Sequence, residues 1–219
     1  MAHIKKTQMP KSWPVPRKGK GKRFVAVPSH ATSKGISILF LLRDVLKLVK
    51  TRKEAKYMTL NGMIKVNNKS RHDENFPVQV FDVIKLEKAK LSYRLEIVNK
   101  KFNLVEVSGK DVDKKIVKIT GKKVLGKNSI QMNLDDGQNL ITKEKFSVGD
   151  SALLDTKENK IEKILPLKEG ANVEIIAGKH AGEKGKLEGF ENLSRGKNYI
   201  IKLEDKTVSL PYKTILVIA

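Results

Sequence analysis

Residues 51–69, Thr-Arg-Lys-Glu-Ala-Lys-Tyr-Met-Thr-Leu-Asn-Gly-Met-Ile-Lys-Val-Asn-Asn-Lys, pass from helical to strand periodicity within one short stretch. Thr51 and Glu54 have the spacing of a capping box, in which the hydroxyl accepts from an early helical N–H while the carboxylate reaches back to the cap. A helix is expected from there to about Leu60, with Gly62 supplying the left-handed residue that ends it. Met63-Ile64-Lys65-Val66 then alternates like a strand, and Asn67-Asn68 suits a tight turn because Asn tolerates positive φ. A basic return follows with Lys69 and Arg71.

Upstream, Ile38, Leu41, Leu42, Val45, Leu46 and Val49 fall on one face of a single core-facing helix. Downstream, Phe81 to Leu86 reads as a later strand. Two helices on a small sheet are therefore expected over residues 36–100. Thr51-Arg52-Lys53-Glu54-Ala55 followed by Ile64-Lys65-Val66-Asn67-Asn68-Lys69 resembles the S-four-type RNA-binding domain, or alpha-L motif. The resemblance implies RNA contact by the start of the second helix and by the hairpin. On matching positions, Thr51, Arg52, Lys53 and Lys56 would meet phosphates at a helix N-terminus, where exposed N–H groups favour anions. Lys65, Asn68, Lys69 and Arg71 would extend that patch. By spacing alone, basic residues at a helix start equally suit a solvated face.

Residues 101–165 read as a small central β domain. Short alternating runs cover Leu104 to Val107, Ile116 to Thr120, Ile130 to Leu134 and Asn139 to Thr142, with Asp136-Gly137 as a hairpin turn. The segment also holds Gly121-Lys-Lys-Val-Leu-Gly126-Lys127-Asn128, which has P-loop spacing. A P-loop needs Ser or Thr after the lysine and a helix behind it, whereas here Asn128 follows and Ser129 to Leu134 alternates with period two. A Gly-Lys hairpin is expected instead.

Pro166 marks the next boundary, and residues 166–219 read as a small barrel. Within Glu169 to Leu187 a strand enters a loop containing Gly178, Gly182 and Gly185, and a second strand leaves it. The glycines are expected to allow positive φ and to let Lys179, His180, Lys184 and Lys186 project. Runs from Tyr199 to Leu203, Thr207 to Leu210 and Thr214 to Ile218 supply the remaining strands. Gly170 to Leu187 resembles the KOW motif, an SH3-like barrel element of ribosomal proteins and transcription elongation factors. The resemblance implies that the loop reads RNA or protein.

Residues 1–35 contain four of the seven prolines and the only tryptophan, and no acidic residue occurs before Asp44. They read as an extended basic arm without a core, ordering on a partner. Lys5, Lys6, Lys11, Arg17, Lys18, Lys20, Lys22 and Arg23 would meet phosphates, with Trp13 and Phe24 available to stack on bases or pack in a crevice. The bland alternative is a solvated or targeting tail.

The whole chain has 219 residues, 45 Lys+Arg against 24 Asp+Glu, and a net charge of +21. Such self-repulsion points to a polyanionic partner, nucleic acid foremost. Absence of cysteine excludes disulfides, thiolate metal sites and thiol nucleophiles. His3, His30, His72 and His180 lack paired ligand spacing, and Asp135-Asp136 reads as turn chemistry, so neither metal nor cofactor is expected and no catalytic set can be nominated. Ile36 to Leu42 is far shorter than the roughly 20 apolar residues of a bilayer span. No transmembrane helix or signal peptide is expected, and the cytoplasm is the expected location.

The fold class expected is thus α+β and multidomain: basic arm, alpha-L-type domain, central β domain, KOW-type barrel. That order, with Lys11-Ser12-Trp13-Pro14, Phe81-Asp82-Val83-Ile84 and Asn133 to Asn139, resembles the archaeal and eukaryotic small-subunit ribosomal protein family S-four-e. Many members continue past the barrel with a basic tail. The resemblance implies a non-enzymatic, single-copy constituent of the small subunit, with small-subunit ribosomal RNA and neighbouring ribosomal proteins as partners. A non-ribosomal transcription or translation factor using the barrel is the rival reading. An RNA-modifying enzyme is the other, although about 65 residues outside the recognised modules are few for a catalytic domain.

Overall fold

The computed structural model describes residues 3–18, 23–126, 129–193, 196–204 and 206–218. Its backbone groups into two compact units, Met1–Ile97 with Lys101–Asp113, and Val98–Lys100 with Lys114–Ala219. The protein is mostly β, with several sheets and, among the described residues, two short α-helices.

In the first unit, β1 (His3–Lys5) pairs antiparallel with β2 (Phe24–Ala26). β3 (Gly35–Ser37) leads into α1 (Ile38–Phe40) and pairs with β6 (Pro77–Gln79). α2 spans Arg52–Leu60, followed by β4 (Ile64–Val66) and β5 (Lys69–Ser70). With β7 (Val83–Leu86), β8 (Leu91–Val98) and β9 (Lys101–Glu106), these form a sheet in the order β5-β4-β7-β8-β9.

The N-terminal stretch does not behave as a coreless arm. Met9 and Trp13 are 1% and 0% exposed, and the Trp13 ring lies 5.3 Å from that of Phe40. The Phe102 N–H donates to the Ser12 carbonyl at 2.7 Å, so the backbone beside Trp13 is held as well. Burying one large aromatic contributes enough to order a short segment whose prolines already restrict it.

The expected long first helix is also shorter than its periodicity suggests. Ser37 caps it by accepting from Phe40 N–H at 3.3 Å, but after one turn it widens into a π-type turn at Leu41–Val45. Leu46 N–H donates to the Leu41 carbonyl at 2.8 Å, an i→i−5 bond, and Lys47 at φ +55° ends the run. Val49 is buried from outside the helix. Apolar periodicity records which side chains go inward, and it does not record where the backbone hydrogen-bond ladder stops.

The second unit holds two five-stranded sheets. One is ordered β12-β11-β10-β13-β14, from β10 (Lys114–Gly126), β11 (Ser129–Leu134), β12 (Asn139–Thr142), β13 (Ser151–Asp155) and β14 (Lys160–Leu165). Ile119, Met132, Leu134 and Leu154 are in its core. The glycine-flanked stretch from Gly121 to Gly126 is strand paired with β11, as its alternation requires, and Lys127 and Asn128 lie outside the described residues. The other sheet is ordered β18-β17-β16-β15-β19, from β15 (Asn172–Ile175), β16 (Lys184–Leu193), β17 (Gly196–Lys202), β18 (Thr207–Pro211) and β19 (Ile215–Val217). Val173, Ile175, Leu187 and Ile201 fill its core.

A buried polar seam joins these sheets within the one unit. Lys118 on β10 donates to the Tyr212 carbonyl and, at 2.7 Å, to the Ile215 carbonyl. Val217 N–H donates to Ser151 Oγ at 3.0 Å, and Leu167 N–H to Asp150 Oδ1 at 2.9 Å. The expected boundary at Pro166 therefore falls inside a compact unit.

Candidate nucleic-acid interface

The N-terminus of α2 carries the box its sequence implies. Thr51 Oγ1 accepts from Glu54 N–H at 3.3 Å, while the Glu54 carboxylate accepts from Lys50 N–H at 2.9 Å and from the Thr51 hydroxyl at 3.0 Å. The Lys50 N–H bond, then the Thr51 hydroxyl bond, hold the Glu54 carboxyl below its ordinary value. The Thr51 hydroxyl is thus engaged in capping. Arg52 reaches the nearly buried Glu74 carboxylate at 2.5 Å while remaining 60% exposed. Lys53 and Lys56 are exposed and make no ion pair among the described residues.

Ala55 and Thr59 turn inward on α2. The opposite ridge contains Lys53, Lys56, Tyr57 and Leu60, with Tyr57 63% and Leu60 53% exposed. Sequence reasoning passed over Tyr57 and Leu60, although their i, i+3, i+4, i+7 relation to Lys53 was the available signal.

Asn67 and Asn68 adopt φ of +51° and +63°, making the tight turn between β4 and β5. Both amides work within the fold. Asn67 Nδ2 donates to Asp82 Oδ1 at 2.8 Å, and its Oδ1 accepts from Val83 N–H at 3.0 Å. Asn68 Nδ2 donates to Asp113 Oδ1 at 3.0 Å and its Oδ1 accepts from Lys85 Nζ at 2.5 Å. Asn68 consequently anchors the turn through both ends of its amide. The reason lay out of reach of local reading, because Asp113 is 45 positions away.

Lys65 pairs with Glu87 at 2.8 Å, and Lys69 is exposed. The Arg71 guanidinium lies 4.2 Å from the centre of the Phe76 ring. In the N-terminal stretch Lys5, Lys11, Lys18 and Arg23 are exposed, and Lys6 and Arg17 are half-buried. Arg17 donates to the Thr7 carbonyl. Lys20 and Lys22 lie outside the described residues. Trp13, with no exposed surface, packs in the core and offers no stacking face, whereas Phe24 is 48% exposed.

In the loop between β15 and β16, Gly178 and Gly182 have φ of +98° and +88°, as expected. Gly185 serves differently. It sits in β16 without positive φ, and a Cβ there would come 2.4 Å from the Lys202 carbonyl oxygen, so its role is close strand approach. The basic side chains of this region lie beside acids: His180 Nδ1 is 3.1 Å from Glu183, Lys206 is 3.6 Å from the same carboxylate, and Lys184 is 3.9 Å from the buried Glu174. Lys179 and Lys186 are exposed.

The first unit carries 24 basic and 10 acidic side chains, net +14, against 21 and 14, net +7, for the second. No helix among the described residues is long and apolar enough to cross a membrane. Fold and charge together define a basic, multi-sheet protein with its larger charge excess in the first unit.

Comparison with known proteins is consistent with that class and specifies it. Residues 89–161 match the model of Ribosomal family S4e. The chain is 35% identical over 195 residues to small ribosomal subunit protein eS4 of Pyrobaculum aerophilum, covering 85% of this chain and 82% of that one. It is 34% identical over 189 residues to small ribosomal subunit protein eS4 of Methanocella arvoryzae, covering 84% and 79%. The crystal structure of the 30S ribosomal protein S4e from Thermoplasma acidophilum matches with a TM-score of 0.72 at 26% identity, covering 85% of this chain and 95% of that one. The chain belongs to the S4e family of ribosomal proteins.

Proposed function

We propose that this protein is a structural constituent of the small ribosomal subunit that binds ribosomal RNA and holds its helices in place during assembly. The observation that carries the reading is the exposed pair Lys53 and Lys56, without an ion pair among the described residues, on the first turns of a capped helix in a unit of net charge +14. Helix-terminal N–H groups and nearby ammonium groups attract phosphate together. Residues 36–100 serve as an alpha-L-type RNA-binding domain and residues 166–219 as a KOW-type barrel. Lys5, Lys11, Lys18, Arg23, Lys53, Lys56, Lys69 and the exposed part of Arg52 form the principal phosphate contacts, with Lys179 and Lys186 secondary. The role is architectural, a single copy per subunit among neighbouring ribosomal proteins, at the cytoplasmic ribosome.

Lys and Arg release counterions from the RNA, and A-form shape with its 2′-hydroxyls selects RNA over DNA. With roughly 6–10 phosphate contacts, affinity for small-subunit RNA drops about 10³–10⁵-fold between 50 and 200 mM salt. Sucrose-gradient fractionation of cell lysate tests the assignment. The chain is expected in the small-subunit peak, and sedimentation as free protein beside intact subunits overturns it.

A further inference from the structure

A second surface, outside every residue assigned above, has the chemistry of an RNA contact. β10 pairs with β13 only from Lys114 to Lys118, and beyond that its other half pairs with β11, which pairs in turn with β12. Opposed residues of antiparallel strands share a face, so side chains sort cleanly here. Met132 and Leu134 point into the core, and Lys122, opposite Met132, turns the same way and donates to the Phe146 carbonyl at 2.9 Å.

The outer face is made from the alternate positions. Lys123 opposes Gln131, which opposes Ile141, while Gly121 opposes Asn133, which opposes Asn139. Lys123 and Asn139 are exposed and Ile141 is 68% exposed. None of the six positions is acidic, and no acid occurs in the sequence from Lys114 to Leu134, which includes six lysines. The Asn133 side chain lies over Gly121, where a Cβ would press on its amide at 3.2 Å. Gln131 Nε2 donates to Asn133 Oδ1 at 2.8 Å, which orients the two amides side by side and leaves each with further donor or acceptor capacity.

We infer that this outer face docks in the shallow minor groove of a double-helical segment of RNA. The inference rests on the reading of the chain as an RNA-binding ribosomal constituent, but concerns a separate surface. Amides donate and accept, which matches 2′-hydroxyls that do both, and Lys123 stands at the rim for a phosphate. Sheet surfaces that take single-stranded RNA stack its bases on aromatic rings. This face has none, so a duplex, met by shape and sugar hydroxyls, is the occupant it fits. It is the paired amides that favour a ribose-lined groove.

The test uses the full chain and protein-free small-subunit ribosomal RNA. Position 141, already exposed, is replaced with a photo-crosslinking amino acid, and adducts are mapped by primer extension. Crosslinks to nucleotides in base-paired segments are expected. In parallel, Lys123→Glu with Asn139→Asp is expected to weaken binding about tenfold at 150 mM salt and to lower the slope of log affinity against log salt by about 1. Both substitutions lie on exposed positions, and an unchanged melting temperature checks that the fold survives. Wild-type binding with adducts confined to unpaired loops or to protein, or with unaltered affinity and slope in the double variant, overturns this inference while leaving the ribosomal reading intact. Failure of the wild-type chain to bind the RNA overturns both.

Discussion

The capped end of α2 and the glycine loop between β15 and β16 both looked like cationic hands held out from a turn, yet they are differently built. Around α2 the acids are few and placed behind the cations: Glu54 closes the cap and Glu74 fixes Arg52, leaving Lys53 and Lys56 exposed. Around the loop, Glu183 lies against both His180 and Lys206, and Glu174 lies near Lys184. A cation already facing a carboxylate gives up part of that attraction on meeting phosphate, and releases fewer counterions. RNA affinity should therefore concentrate in the first region, with the loop serving backbone shape.

The sharpest way to break this contrast is through the scaffold beneath the first region. Trp13→Ala removes a ring packed on Phe40 and is expected to cost about 3–5 kcal/mol in thermal or urea unfolding. A cost below about 1 kcal/mol would restore the picture of a free arm. Next comes the direct comparison. Lys53→Glu with Lys56→Glu is expected to lower affinity for small-subunit RNA about thirtyfold and the salt slope by about 2, whereas Lys184→Glu with Lys206→Glu lowers affinity less than about threefold. Acids are tolerated in early helical turns, so circular dichroism should show α2 retained. Equal losses in the two variants would erase the distinction.

The smallest expected effect concerns the second unit alone. Burial lowers the Lys118 ammonium from 10.5 to about 8, with the Asp135 charge opposing the change. The unfolded chain holds its proton more tightly, so stability contributed by this group rises as pH climbs from about 8 toward 10.5, falls back over the same window as pH drops, and is flat below 8. Wild type is expected to gain on the order of 1–2 kcal/mol over Lys118→Met between pH 8 and 10. Parallel pH profiles for the two would show that the seam carries no titrating charge.

Local signals were read well where a few neighbouring residues determine the outcome. Thr51 and Glu54 close the box, Gly62 at φ +66° ends α2, the two asparagines turn the hairpin, and period two continues through the P-loop look-alike. What failed was anything settled by distant partners. The hydrophobic periodicity from Ile38 to Val49 gave the buried side chains but not the π-type turn. The Asn68 amide is held by Lys85 and Asp113, and the Lys202 carbonyl opposite Gly185 sets the need for glycine there, relations that no neighbouring residue announces.

By itself the sequence determined the excess of positive charge, the caps, the turns and the strand alternation, because each depends on composition or on residues within about one helical turn. Only the tertiary structure decided which cations stay available, whether Trp13 faces solvent or core, and that residues 114–219 fold as one unit. Ion pairing, burial and close backbone approach are relations between residues far apart in the chain. Their energies depend on distance in space, which no local pattern records.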